Sequence, residues 1–347
     1  MSVFLTNAWY VAAWSESISV GATTRIQILG EWIALFRAES GTVHAIADRC
    51  PHRFASLGRG RVIGDVLQCP YHGLQFDGGG QCVLNPHGDG ATPAHSTVRS
   101  YPVVERFGAV WVWTGEYAQA ELERLPDLQI FEDPQFATNR DYLHVTGPYD
   151  LVIDNLLDLS HIAFLHPNIA SSDAFERSHV AVRQEGETVW HDFDIHDEPV
   201  SPLFQLVWDD DVKFGHARSS MRWNAPSHLF LNVGMSPLNE KGDNYPKIPS
   251  AHLLTPETET TTHYFWMVAR NRRQNDPAVG MRLKEMIGYA FKMEDEPMIE
   301  QVHANMGGSD FWSLRPIILA GDAAGVRARR ILSKKIRHEN GTDESED

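Results

Sequence analysis

The paired stretches Cys50-Pro51-His52-Arg53-Phe54 and Cys69-Pro70-Tyr71-His72-Gly73 decide how this chain is read. Each offers one thiolate and one imidazole, and residues 53–68 separate them. Two sulfur and two nitrogen donors suit either a Cys₂His₂ zinc site or a [2Fe–2S] cluster held by two cysteines on one iron and two histidines on the other. Zinc fingers place two cysteines on one knuckle and two histidines on the next. Here each knuckle is mixed, Cys-x-His and then Cys-x-x-His, in a chain with 17 histidines but only three cysteines.

Outward from these loops, residues 1–116 read as all-β. Thr24–Leu29 and Trp32–Phe36 are β-rich runs split by Gly30-Glu31, a hairpin signal, and Val43–Ala47 leads the chain to Cys50. Leu74-Gln75-Phe76, Asp77–Gly80 and Gln81–Leu84 read as strand, tight turn and strand. Tyr101–Trp113 alternates around Phe107-Gly108. Gly58-x-Gly60-x-x-x-Gly64 lacks the spacing and the strand-to-helix setting of a nucleotide loop, so its glycines are loop glycines. Cys82 is left over as a small strand residue. An acidic, proline-containing stretch at 118–134 marks the passage to a second domain, 117–337, with 338–347 a polar, disordered tail.

In the second domain Tyr149–Phe164 has apolar residues at helical spacing. On that helix Asn155, Asp158 and His161, three apart, share a face. His166 lies roughly 140° further round an ideal helix, but Pro167 biases it out of helical geometry and lets it swing back. Asp158, one turn before His161, is placed to hydrogen-bond that ring and fix its tautomer. Two histidines with one carboxylate make the facial triad of a non-haem Fe(II) site, which leaves positions open for O₂. Pro277–Val302 reads as one long helix that supplies the carboxylate, with Pro297 kinking it or tolerated near a break. Asp295 falls in its apolar stripe, where a carboxylate is costly unless paired or metal-bound. Glu294 competes for the role, and Glu296 falls on the solvated face.

These motifs together resemble the oxygenase subunits of Rieske non-haem iron oxygenases, in particular the vanillate O-demethylase, dicamba O-demethylase and toluenesulfonate methyl-monooxygenase group. The resemblance covers nearly the whole chain. It implies an α+β architecture: an all-β Rieske domain, then a helix-grip-like antiparallel-sheet catalytic domain. It implies a Rieske [2Fe–2S] cluster on Cys50, His52, Cys69 and His72, and a mononuclear iron on His161, His166 and Asp295, since the family's Glu-Asp pattern carries the ligand on Asp. Asn155 matches an asparagine near that iron. It further implies a homotrimer in which Asp158 contacts the cluster ligand His72 of a neighbouring subunit. His252 matches a histidine that can face substrate. Asn232, in a plausible strand, is the other expected polar anchor. The implied reaction is O₂-dependent oxidation of a small aromatic acid, foremost O-demethylation, with ring or methyl hydroxylation as alternatives on the same scaffold.

The rival class is a Rieske electron carrier of the respiratory type. Tyr71 stands where that class has a bracing cysteine, and Leu74 and Phe76 stand where it has hydroxyl donors to the cluster. Fewer hydrogen bonds to the sulfurs mean a lower potential, which suits an oxygenase. The 347 residues suffice for two domains. A net charge of −16 and a pI near 5.5 argue against nucleic acid or an anionic membrane as partner. No signal sequence or 18-residue apolar run is found, so a reducing cytoplasm is expected. With no flavin or dinucleotide fingerprint, NADH acts only through a separate reductase or ferredoxin. Arg327, Arg329, Arg330, Lys334, Lys335 and Arg337, on a basic helix over Ala323–Arg337, are candidates for docking it.

Overall fold

The computed structural model describes residues 3–166, 178–208, 212–238 and 245–342. It divides into two compact units, residues 1–125 with 255–259, and residues 126–254 with 260–347. The class is α+β, with antiparallel sheets throughout.

The first unit holds three small sheets. One orders Trp9–Trp14, Ala109–Trp113 and Val103–Arg106; a second Thr23–Ile28, Glu31–Arg37, Val43–Ala47 and Ser100–Tyr101; a third Arg61–Ile63, Val66–Gln68, Gln75–Phe76 and Cys82–Leu84. The first hairpin turns at Leu29-Gly30, not Gly30-Glu31. Both turn residues have positive φ (53° and 83°), the primed-turn geometry that matches strand twist, and Glu31 already pairs with Ile28. Trp9–Trp14 and Ala109–Trp113 are buried at every position, so both faces of that ribbon are covered. Gly60 is required by a close approach: a Cβ there would lie 2.0 Å from the carbonyl oxygen of Gln68. This fixes the passage from the first metal loop to the strands leading into the second.

The second unit is built on a seven-stranded sheet. In spatial order its strands are Ala137–Val145, Thr262–Arg270, Ser250–Pro256, His228–Pro237, Phe214–Asn224, Thr188–Pro199 and Ser178–Glu185. Burial alternates along Thr188–Pro199, with Val189, His191, Phe193 and Ile195 turned inward. Helices Tyr149–Leu157 and Ala323–Glu339 pack on strands of this sheet, and Pro277–Tyr289 packs on Ala137–Val145.

Two helical readings need correction. The helix from Tyr149 ends at Leu157, because Asp158 leaves helical geometry (φ −89°, ψ 87°). A 3₁₀ turn, Leu159–His161, and a short helix, Ile162–Leu165, follow. The long helix is likewise interrupted. Pro277–Tyr289 and Glu296–Met306 are α-helical, and Ala290–Asp295 between them is a π-helical turn. Pro297 sits in the first turn of the second piece, directly after the π-helical turn.

The terminal helix runs to Glu339, so His338 and Glu339 belong to it rather than to a tail; residues 343–347 lie outside the described residues. Three of its six Arg and Lys side chains are engaged within the chain. Arg329 binds Asp150 (2.7 Å) and Asp154 (2.6 Å), Lys335 binds Glu187 (2.6 Å), and Arg327 donates to the Val182 carbonyl (3.2 Å). These three serve folding first, which removes half of the expected basic docking face.

Candidate metal centres

The two cysteine loops fold to one plan. The Cys50 carbonyl accepts from Phe54 N–H and the Cys50 N–H donates to Ala55, both at 2.9 Å. The Cys69 carbonyl accepts from Gly73 N–H (3.2 Å) and the Cys69 N–H donates to Leu74 (2.8 Å). The fourth residue after each cysteine, Phe54 and Gly73, is left-handed, with φ of 60° and 77°. Only the second position shows this in its sequence, by glycine.

The plan sets the two thiols in the core, 1% and 3% exposed, among Phe36, Leu57, Leu67, Leu74 and Phe76. It leaves the His52 imidazole exposed and the His72 imidazole half-buried, with ring centroids 4.4 Å apart. Burial, together with the neighbouring Cys69 thiol, pushes the Cys50 thiol up to about 11. A thiolate there therefore needs a cation, and the donor set fits an iron–sulfur cluster buried on its cysteine side and exposed on its histidine side. His87, which the sequence does not single out, supports the second loop through Nε2 to the His72 carbonyl (2.8 Å). Cys82, in its short strand, is a free thiol.

In the second unit three side chains converge. His161 Nε2 and His166 Nε2 lie 3.2 Å apart, and Asp295 Oδ1 lies 3.5 Å from the first and 3.2 Å from the second. Their ligand atoms all lie within 4.8 Å of one another. The outer nitrogens are tied down: His161 Nδ1 to the Asp158 backbone carbonyl, His166 Nδ1 to Glu294 Oε2 at 2.7 Å. With both Nδ1 atoms donating, both Nε2 lone pairs face the same point as the Asp295 carboxylate. Such an arrangement is repulsive without a cation and is the two-histidine, one-carboxylate set of non-haem iron. Burial lowers the pKa of His161, against the pull of Asp295. Burial also disfavours charge on His166, but Asp295 and Glu294 outweigh it and raise its pKa.

The structure separates the competing acids. Asp295 is 5% exposed and faces the convergence point, whereas Glu294 approaches the opposite nitrogen of His166. Glu294 thus orients a donor, a role its sequence position beside Asp295 only hinted at. Asn155 donates from Nδ2 to Asp295 Oδ1 at 3.1 Å.

Asp158 reaches the His161 ring through its backbone carbonyl, not its carboxylate. Because the helix breaks there, the carboxylate turns to cap the next turn, accepting from Ser160 N–H (3.0 Å) and Ser160 Oγ (2.5 Å). It is half-buried, close beside Gly321, where a Cβ would lie 2.9 Å from its Oδ1.

The convergence point opens on a cavity of about 160 Å³ with mainly apolar walls, among them Leu156, Phe193, Phe204, Met221, Leu231, Val233, Met235 and Phe291. His252 lines it and Asn232 does not. Leu231, Val233 and Met235 point inward, so by the two-residue strand period Asn232 points outward, and it is exposed. His252 is no cation. Both ring nitrogens are engaged, Nε2 with Ser250 Oγ (3.0 Å) and Nδ1 with Tyr264 Oη (2.6 Å), and burial pulls its pKa down to about 3. Any anchor it provides acts by hydrogen bonding alone.

Known proteins account for this pair of centres. Residues 8–102 match the Rieske [2Fe–2S] domain and residues 145–338 the vanillate O-demethylase oxygenase C-terminal domain. The chain is 39% identical to the chloroacetanilide N-alkylformylase oxygenase component of Rhizorhabdus wittichii, over 97% of each protein. It is 38% identical to the dicamba O-demethylase oxygenase component of Stenotrophomonas maltophilia, over 95% of this chain and 97% of that one. A crystal structure of dicamba monooxygenase bound to 3,6-dichlorosalicylic acid superposes with a TM-score of 0.92 at 37% identity, covering 97% and 99% of the two chains. Among the described residues, no helix is long and apolar enough to cross a membrane. The chain belongs to the Rieske non-haem iron oxygenases of the vanillate O-demethylase type, monooxygenase components whose cofactors are a Rieske [2Fe–2S] cluster and a mononuclear non-haem iron.

Proposed function

We propose that Cys50, Cys69, His52 and His72 hold the Rieske cluster, and that His161, His166 and Asp295 hold the iron at which an aromatic acid is oxidised, foremost by O-demethylation. The observation that carries this is the convergence of two imidazole lone pairs and one buried carboxylate at the end of an apolar cavity. The bound iron supplies O₂ activation, fed with electrons from NADH through a separate reductase or ferredoxin. The chain's residues do the rest. Glu294 and the Asp158 carbonyl fix the histidine tautomers, and Asn155 orients Asp295. The cavity walls exclude water and hold the ring so that a methoxy carbon faces the open positions. Hydroxylation of that carbon gives a hemiacetal, which separates into formaldehyde and a phenol.

Ring and methyl hydroxylation remain alternatives on the same scaffold. N-dealkylation is a further reading, favoured by likeness to the relative named for chloroacetanilide N-alkyl chemistry. A panel of methoxy-, methyl- and unsubstituted aromatic acids, plus an N-alkyl anilide, is to be incubated with a surrogate reductase. Oxygen uptake coupled to formaldehyde from methoxy acids supports demethylation. A ring phenol without formaldehyde overturns it.

The assembly is proposed as a cytoplasmic homotrimer in which Asp158 meets His72 of a second copy. Two features support contact between copies. The cluster imidazoles reach the surface, and the cavity beside Asp158 is bordered by Ile317, Ile318 and Leu319, which are 86%, 47% and 68% exposed. Asp158→Asn retains the Ser160 cap and should keep both metal centres while turnover falls by orders of magnitude. A fully active monomer in light scattering refutes the assembly.

A further inference from the structure

From behind the cavity wall into it, a hydrogen-bond chain runs from Tyr264 through His252 to Ser250. Its links are 2.6 Å and 3.0 Å, and all three residues are buried, at 3%, 2% and 5% exposure. Phe291, on the π turn that also carries Asp295, packs edge-on against His252 and tilted against Tyr264, with centroids 5.5 and 5.3 Å away. The two rings are held in place by the segment that places the Asp295 carboxylate.

The direction of the chain follows from what each end can reach. Among the described residues the Tyr264 hydroxyl meets only His252 Nδ1. If Nδ1 carried the proton, the phenolic proton would be left without an acceptor inside the core, the costlier arrangement. The phenol therefore donates to Nδ1, the proton of the ring sits on Nε2, and Nε2–H donates to Ser250 Oγ. Ser250 then accepts through one of its two lone pairs. Among the described residues its own proton meets no acceptor, and Ser250 lines the cavity while Tyr264 does not.

We infer that Ser250 is the hydrogen-bond donor that fixes a carboxylate oxygen of the substrate, and that Tyr264, acting through His252, is the positioning residue that holds it in that role. His252 itself offers the substrate no proton. This assigns the polar anchor of the cavity, and it rests on the proposed oxidation of an aromatic acid only for the identity of the ligand.

Binding of 3-methoxybenzoate and of methoxybenzene to the holoenzyme is to be measured by calorimetry. Ser250→Ala should weaken the acid by about tenfold, the scale of one buried hydrogen bond, and leave methoxybenzene within a factor of two. Tyr264→Phe should weaken the acid by several-fold, raising KM rather than lowering kcat, and Ser250→Thr should restore most of the binding lost in Ser250→Ala. Equal losses for both ligands, or no loss for either, overturn the assignment. Neutron diffraction from holoenzyme crystals tests the chain without any ligand: a proton on His252 Nε2 is expected, and one on Nδ1 overturns it. Correct proton positions with no binding of the acid to the unmodified enzyme would instead indict the substrate class.

Discussion

Glu294 and Asp295 are neighbours in sequence and lie on opposite sides of one imidazole, so replacing each in turn reads out the ligand assignment. Glu294→Ala removes the acceptor of His166 Nδ1, a 2.7 Å contact to a side chain 19% exposed. A hydrogen bond with a charged partner is worth about 1.5–3 kcal/mol. Partial exposure places this one in the lower part of that range, or about 10–50-fold in iron affinity, within the 10–100-fold usual for groups that orient a metal-bound histidine. Glu294→Gln keeps a neutral acceptor and should lose only about fivefold. Asp295→Ala removes a ligand, and the iron should not survive desalting. Ferrous iron retained against a competing chelator is the assay. The visible absorbance of the cluster in the same sample reports that the protein is folded. A Glu294→Ala protein without any mononuclear iron, beside an Asp295→Ala protein that keeps it, would reverse the assignment. Unchanged affinity in Glu294→Ala would show that the His166 contact orients nothing.

Three further outcomes are expected. Gly73→Ala puts a Cβ on a residue at φ 77° and 3.2 Å from Pro86 Cγ; it should cost about 1–2 kcal/mol, seen as cluster bleaching at lower urea. Arg329→Met leaves Asp150 and Asp154 without their shared cation. It should destabilise by about 2–3 kcal/mol in denaturant unfolding, less than the 3–5 of a fully buried pair because both carboxylates are partly exposed. His252 is held at about 3 when folded, so between that value and about 6.5 the unfolded state binds the extra proton. Its contribution is complete above pH 6.5 and falls by about 1.4 kcal/mol per unit below it. His252→Gln should flatten stability against pH between 6.5 and 5.5, and an unchanged slope would show that the ring titrates normally.

The candidate donors were legible because metal sites demand particular atoms. Cys50, His52, Cys69 and His72, and then His161 and His166, announce themselves by type and spacing. Asp295 announces itself as a carboxylate on an apolar stripe. What the sequence hid is phase. Asn232 has the right chemistry for a pocket, yet one residue of register sends it to the other face of the sheet while Leu231 and Val233 face the cavity. The spacing of Asn155, Asp158 and His161 suggested one helical face, but the helix ends before Asp158, where the carbonyl meets His161 and the carboxylate caps the next turn. His252 was legible as a polar anchor, but nothing near it in sequence reveals Tyr264, which arrives from the neighbouring strand and engages its Nδ1.

These hidden features share a physical cause. A metal needs its donors to converge on a point, whereas a helix splays successive side chains around its axis and a strand sends them to alternate faces. Convergence therefore requires local departure from both. The chain makes such departures at both centres: left-handed residues at Phe54 and Gly73, the break at Asp158, the non-helical His166, and the π turn ending at Asp295. A π turn accommodates one more residue than an α turn and so rotates everything beyond it by about 100°. Here that rotation lies between Phe291, which clamps the His252–Tyr264 pair, and the helix beginning at Glu296. The same six-residue segment thus sets both the position of the Asp295 carboxylate and the rigidity of the polar wall. A change in its length should disturb metal binding and substrate orientation together, whereas substitutions on its exposed side, such as at Met293, should disturb neither.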